Sequence, residues 1–277
     1  MTRSIGLLDL EFAADCLGKT RIVERNQRFP LHFTIPLFLD ERQPGMAFVY
    51  VQNPSGAVFS GDKLELRIAV RNGGKVHVTS TSATKLHRML EGLALQKVQL
   101  EVTQGSYIEY LPDQLIPQAQ SSYDQKTMID LERGSMLVAS EIISPGRLAR
   151  GEVFAFDRLK LETQIKVGGS TLFTDRMLME PAALPINTRG VLGSFLYSGT
   201  LLALAPGGNA KGIYEAATSL EMAGEDFRLG VGALPGAVGI VVRVLARSSS
   251  VAMRLMDETW SRVRMQMIGA PAPSRRK

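Results

Sequence analysis

The residues able to do covalent or metal chemistry are few in this chain and stand far apart. Histidine occurs only as His32, His77 and His87, and cysteine only as Cys16. One thiol permits no intramolecular disulfide and no Cys-x-x-Cys pair, and three separated imidazoles form no local zinc motif. A nucleophile elbow of the Gly-x-Ser-x-Gly type, a phosphate loop ending in Gly-Lys-Ser/Thr and a His-Glu-x-x-His helix are all missing. Gly230-x-Gly232 with Gly236 and Gly239 has the look of a cofactor loop. Pro235 interrupts it, however, and a strand-like run follows where a helix would have to begin, so these glycines read as turns. The remaining candidates offer oxygen atoms and guanidinium groups. Asp62 follows Gly61 at a strand entry and reads as a turn carboxylate. Thr79 and Ser80 belong to a hydroxyl-rich run, Thr79-Ser80-Thr81-Ser82 with Thr84. Glu109 precedes an aromatic residue in a strand and Asp113 sits in a turn. Arg150 and Glu152, two apart, share a face if the segment is extended and form an ion pair there, and Asp175-Arg176 has the same character.

The elements that must position these groups are mostly strands. From Gly45 to about Arg176, short apolar alternations recur between turn glycines. Lys63, Glu65, Arg67 and Arg71 alternate with Leu64, Leu66, Ile68 and Val70, and a period of two places the sets on opposite faces. Asn72-Gly73-Gly74 then predicts a hairpin turn into Val76 and Val78. Two helices are expected late in the chain. One runs from an Asn209 N-cap to Gly224. The other follows Ser248-Ser249-Ser250 and ends near Gly269, with Met253, Met256, Trp260, Val263 and Met267 stepping by three and four along one face. A strand-like run, Val238 to Leu245, lies between them. Many short strands with turn signals predict a mainly β sandwich, barrel or coil.

The chain has 277 residues, 45% of them hydrophobic and 21% charged, which suffices for a sizeable core in one domain over 1–277. No low-complexity linker and no repeat of fixed period divides it. A net charge of +5 favours acidic partners, but the basic residues are interleaved with acids and only 6% of residues are aromatic, which argues against nucleic acid. The cluster Arg275-Arg276-Lys277, behind Ala270-Pro271-Ala272-Pro273, is expected to be a flexible tail over 270–277. Gly190 to Ala210 carries no charge, yet its glycines and Pro206 break a helix. It therefore predicts two buried strand pieces, Leu192 to Tyr197 and Thr200 to Ala205, rather than a membrane span. The N-terminus lacks a signal-peptide core, and one cysteine suits a reducing cytoplasm. Cys16 and the methionine stripe are expected in the core, the stripe alternatively forming a groove for a partner helix.

Four blocks in order resemble the UreD (UreH) family of urease accessory proteins. The first is Pro44 to Gly56 with its Asn53-Pro54-Ser55-Gly56, followed by Gly61-Asp62-Lys63-Leu64. The second is Val78 to Arg88. The third, Glu109-Tyr110-Leu111-Pro112-Asp113-Gln114-Leu115-Ile116-Pro117, is similar to a leucine-proline-aspartate-x-x-isoleucine-proline pattern. The fourth is Glu141 to Glu152, with Phe156-x-Arg158-Leu159 and Asp175-Arg176 after it. Ser80, Thr81, His87 and Gln118 depart from the family's usual residues. The resemblance implies a helix-like coiled stack of strands with two C-terminal helices and no catalytic activity. It implies binding to UreF, through UreF to the GTPase UreG, and to apo-urease. It also implies transient passage of nickel(II) along a polar internal channel, with no tightly bound cofactor. On that reading Asp62, Thr79, Ser80, Glu109, Arg150, Glu152 and Asp175 are candidates to line the channel, and Met253, Met256, Trp260, Val263 and Met267 are candidates to meet a partner. A hydrolase on an unfamiliar β fold, using Asp62 or Glu152, is the competing reading.

Overall fold

The computed structural model describes residues 5–220 and 222–274, so the basic cluster 275–277 lies outside the described residues. The chain enters through β1 (Ile5–Ala14), β2 (Thr20–Arg28) and β3 (His32–Phe33). It then coils through β4 (Ala47–Gln52), β5 (Lys63–Arg71), β6 (Lys75–Ser80), β7 (Thr84–Leu86), β8 (Ala94–Val102), β9 (Tyr107–Tyr110), β10 (Leu115–Pro117), β11 (Ser122–Leu131), β12 (Met136–Ile143) and β13 (Arg158–Val167). It closes with β14 (Ser170–Met179), β15 (Tyr197–Leu204), α1 (Ala210–Thr218), β16 (Phe227–Ala233), β17 (Gly239–Ala246) and α2 (Ser249–Ile268).

These strands form two stacked sheets. The first runs β14-β13-β11-β8-β5-β1-β2, and the second runs β16-β17-β15-β12-β9-β6-β4-β3, with β10 and β7 beside it. In the coiled part the chain alternates between sheets, so β5, β8, β11 and β13 stack in parallel on one side, and β4, β6, β9 and β12 on the other. Parallel strands need a crossover, and here the strand of the opposite sheet supplies it where a helix commonly would. Successive rungs of the second sheet pair Ala47 with Val76, Val76 with Ile108 and Ile108 with Leu137, roughly thirty residues per turn. Loops of unequal length spoil the period, which explains why the sequence shows no fixed repeat. Asn72 and Gly73 do take positive φ, as a tight turn requires. The strands they join lie in different sheets, so the expected hairpin is instead a corner of the coil.

Two cores result. Between the sheets lie Leu8, Leu66, Ile68 and Val98 from one side and Val49, Val78, Ile108 and Leu137 from the other. The outer face of the second sheet is covered by the helices, burying Phe48, Val138, Leu201 and Val242 against Met256, Trp260 and Val263. Strands buried on both faces read as continuous apolar runs, as in Leu201-Leu202-Ala203-Leu204. The outer face of the first sheet meets solvent and carries an ionic lattice in which Arg67 and Arg71 pair with Asp9, Glu11 and Glu101. This is why β5 alternates so cleanly.

The expected helices form with their caps. The Asn209 side chain accepts from Gly212 N–H, and Ser248 accepts from Val251 N–H. Gly269 ends α2 in the left-handed region with φ 68°. The first helix ends at Thr218, short of Gly224, and the Thr218 and Ser219 hydroxyls there donate to carbonyls of the preceding turn. One strand, β15, replaces the two pieces expected between Leu192 and Ala205. No helix among the described residues is long and apolar enough to cross a membrane. Cys16, expected in the core, is exposed at the turn between β1 and β2.

Candidate functional site

The core between the sheets is not apolar throughout. Along the edge where strands of the second sheet end and those of the first begin, it opens into two chambers of about 160 and 80 Å³. They share Thr84, Gln96, Tyr110 and Pro112 as a common waist. Both have room for ordered water. The larger is flanked by Asn53, Ser80 and the Thr81–Lys85 stretch, and the smaller extends to the last rungs, where Glu141, Asp175, Thr200 and Arg243 converge. Polar groups therefore recur among apolar ones along the axis of the coil.

Strand parity puts each group there. On β12, Leu137, Ala139, Glu141 and Ile143 face inward, while Val138 and Ile142 face the helices. Glu141 is thus a carboxylate on a face otherwise built from apolar side chains. Its Oε1 accepts from Gln125 Nε2 at 2.6 Å. Beside Gln125 stands the Tyr123 hydroxyl, which donates to Gln96 Oε1 at 2.6 Å and lies 3.0 Å from Gln125 Oε1. Among the described residues, no cation pairs with Glu141 directly. Burial therefore dominates and pushes its carboxyl up to about 7, with the Gln125 hydrogen bond opposing, the Asp175 charge adding and Arg243 opposing. Asp175, from β14, pairs with Arg243 of β17 at 2.6 Å, and Arg243 Nη1 donates to Thr200 Oγ1 at 2.6 Å.

A second buried network lies on the other face of the same sheet. Glu109 of β9 is fully buried under α2. It accepts from the Tyr107 hydroxyl at 2.6 Å and from Arg264 Nε at 2.6 Å, and its other oxygen lies 2.7 Å from His77 Nδ1. Arg264 also reaches Asp40 at 2.5 Å and the carbonyls of Ala270 and Pro271. His77 is sandwiched by Phe48 and Trp260, with centroids at 4.8 and 5.4 Å. Burial alone would raise the Glu109 carboxyl. The His77 contact, the Arg264 charge and the Tyr107 hydroxyl outweigh it and hold the group below its ordinary value. Every oxygen is occupied by a partner of this chain, which makes the cluster a rivet between sheet, helix and C-terminal segment. Ala270 is consequently buried, so the expected tail is docked at its start.

The candidates picked from sequence separate on this geometry. Asp175 and Ser80 line the chambers. Thr79 borders the larger one but belongs to the face of β6 that carries His77, and its hydroxyl donates to Leu111 O at 2.7 Å. Glu109 faces the helix, not the chambers. Asp62 accepts from Phe59 N–H at 2.9 Å and holds its turn. Arg150 is exposed on a short 3-10 turn, Leu148–Arg150, so the segment is not extended. Glu152 pairs with Arg147 and accepts from Ala119 N–H, leaving the expected Arg150–Glu152 pair unformed. Asp62 and Glu152, the residues a hydrolase would use, hold separate turns. Met256, Trp260 and Val263 are buried against the second sheet, while Met253 and Met267 are partly exposed. Glu141, Gln96, Gln125, Tyr123 and Arg243 were missed. Reading β12 at period two would have found Glu141, since it shares a parity with Leu137 and Ala139.

The family model described as UreD urease accessory protein matches residues 4–277. The chain belongs to the UreD family of urease accessory proteins. It is 31% identical to the urease accessory protein UreD of Cenarchaeum symbiosum, with 100% of this chain and 97% of that protein covered. It is 33% identical to the UreD of Haloarcula marismortui, over 98% and 90%. It is 34% identical to a UreD 2 of Streptomyces griseus, over 99% and 94%. UreD proteins are accessory factors rather than enzymes. The mainly β coil with two C-terminal helices is the architecture that the sequence resemblance implied.

Proposed function

We propose that this protein is a scaffold for metallocentre assembly that binds apo-urease and, with UreF and through it UreG, passes nickel(II) to the urease active site. The observation that carries this reading is the polar, two-chambered interior between the sheets. Its oxygens come from amides, hydroxyls and phenols and from three carboxylates of the smaller chamber, Asp113, Glu141 and Asp175, the last two at the far end. An ion in transit needs ligands that hold it briefly. Scattered oxygens exchange nickel more readily than a cluster of imidazoles or thiolates would. The coil around the chambers keeps many of those oxygens in fixed order, because Gln96, Tyr110, Tyr123, Gln125, Glu141 and Asp175 sit on hydrogen-bonded strands. UreF and UreG are the proposed sources of the ion and apo-urease its recipient, all in the cytoplasm.

Two measurements test this reading. Affinity purification of the tagged protein should retain UreF and apo-urease. Urease purified from cells lacking the protein should be fully synthesised but nickel-poor and inactive. Fully metallated urease from such cells at low nickel would overturn the reading.

A further inference from the structure

The smaller chamber ends at a side-chain pair that spans the sheets. Among the described residues, Asp175–Arg243 is the one ion pair that joins the first sheet to the second. The pair is partly open to solvent, at 29% and 45% side-chain exposure, and Glu141 lies behind it in the same chamber. Arg243 has two cross-strand neighbours in register, Thr200 on β15 and Gly230 on β16. Its guanidinium rests on the Thr200 side. On the other side, among the described residues, no atom beyond Gly230 and its chain neighbours lies within 4 Å of where a Cβ of Gly230 would stand, and the backbone there is one that any residue adopts. Glycine weakens a strand, and in a strand it often marks a place that something else must approach. The first sheet ends at β14, so no strand of that sheet extends past it to cover this space.

We propose that Arg243 is a swinging latch on the chamber mouth. In the position seen here its guanidinium neutralises Asp175 and stands in the path of a cation. Swung over Gly230, it leaves the Asp175 carboxylate free, and Asp175 and Glu141 then present oxygen atoms to a dication at the mouth. Partly exposed ion pairs contribute little net stability, so exchange between the two positions is facile. The charge at the mouth follows the latch: the closed pair is neutral, and the open mouth presents an unpaired carboxylate that attracts a dication. The latch's role in nickel traffic rests on the transit reading above, whereas its motion does not.

The test uses the full-length protein with Cys16→Ser, which removes the exposed thiol, and Thr163→Cys, which places a thiol on the chamber wall beside Asp175. The readout is the rate at which a methanethiosulfonate bearing a trimethylammonium group modifies that thiol. Arg243→Ala should raise the rate several-fold. Gly230→Leu, which fills the swing space, should lower it several-fold, and Gly230→Ala should change it little. Equal rates in all of these proteins would overturn the latch. Should Gly230→Leu fail to fold, Arg243→Ala decides alone, and a rate no faster than that of the parent overturns the proposal. If the rates follow the latch while Gly230→Leu still supports complete urease activation, the latch stands and the transit reading of this mouth falls.

Discussion

Glu109 and Glu141 stand on β9 and β12, neighbouring parallel strands of one sheet, and point to its opposite faces. Glu109 meets a guanidinium, an imidazole and a phenol, and its carboxyl is held low. Glu141 meets one amide, and its carboxyl is pushed up to about 7. Both sites take a carboxylate out of bulk water. Only the first gives it full compensation, and a carboxylate left short of partners costs stability that packing must supply elsewhere. Such a cost is typical of a group retained for function. The contrast therefore separates an acid that the fold compensates fully from one that it does not, more sharply than either residue's burial does.

The largest effect is expected at the saturated site. Arg264→Ala leaves Glu109 and Asp40 buried without their shared cation, and it should destabilise the protein by about 3–5 kcal/mol. Urea denaturation at pH 7 would measure this, and a loss under 1 kcal/mol would dissolve the distinction between the two acids. The sign with pH is fixed by the lowered Glu109 carboxyl. Its contribution is complete above the ordinary carboxylate range and is lost as pH falls through its depressed value, so wild type and Arg264→Ala should converge in strong acid.

Next comes the helix stripe that fixes α2 above the rivet. Met256→Ala should cost about 2–4 kcal/mol because the side chain is buried, with its sulfur against Gly199. Met253→Ala, at a partly exposed position, should cost less than about 1 kcal/mol. Equal losses in the two variants would mean that the stripe is not a buried seam.

A smaller effect of opposite sign is expected at the chamber. Glu141→Gln removes a carboxyl whose ionisation is disfavoured in the folded chain. A raised folded-state value means that stability is present below the ordinary glutamate range and falls as pH rises through about 7. The variant should therefore be more stable than wild type at pH 8, by about 1–3 kcal/mol, and equal to it near pH 4. The same variant should activate urease less well. A Glu141→Gln protein that is less stable at pH 8 would show that Glu141 is compensated after all.

The sequence was informative wherever one face of an element meets water. The β5 alternation, the Asn209 and Ser248 caps and the Gly269 stop are local signals, and each is realised in the structure. Topology was hidden because corners of a coil use the same positive-φ residues as hairpins, as at Asn72 and Gly73. The chambers were half legible. Asp175 was found through its place in the charge pattern. Glu109 was assigned to the wrong face because the second sheet is covered on both sides, so a buried polar residue on it faces one of two cores that the sequence does not distinguish. Glu141 was overlooked because its partners, Gln125 from β11 and Arg243 from β17 by way of Asp175, are brought near only by the stacking of rungs.

If nickel(II) travels through the interior as proposed, it must pass the waist between the two chambers. Gln96→Trp places a bulky ring at the wall that both chambers share. Nickel per urease active site would be measured by mass spectrometry after co-expression of all accessory proteins at limiting nickel, with copurification of UreF and apo-urease as the check on assembly. The expected result is an intact complex and urease with nickel close to the level found without this protein. An intact complex delivering a full complement of nickel past the blocked waist would contradict it.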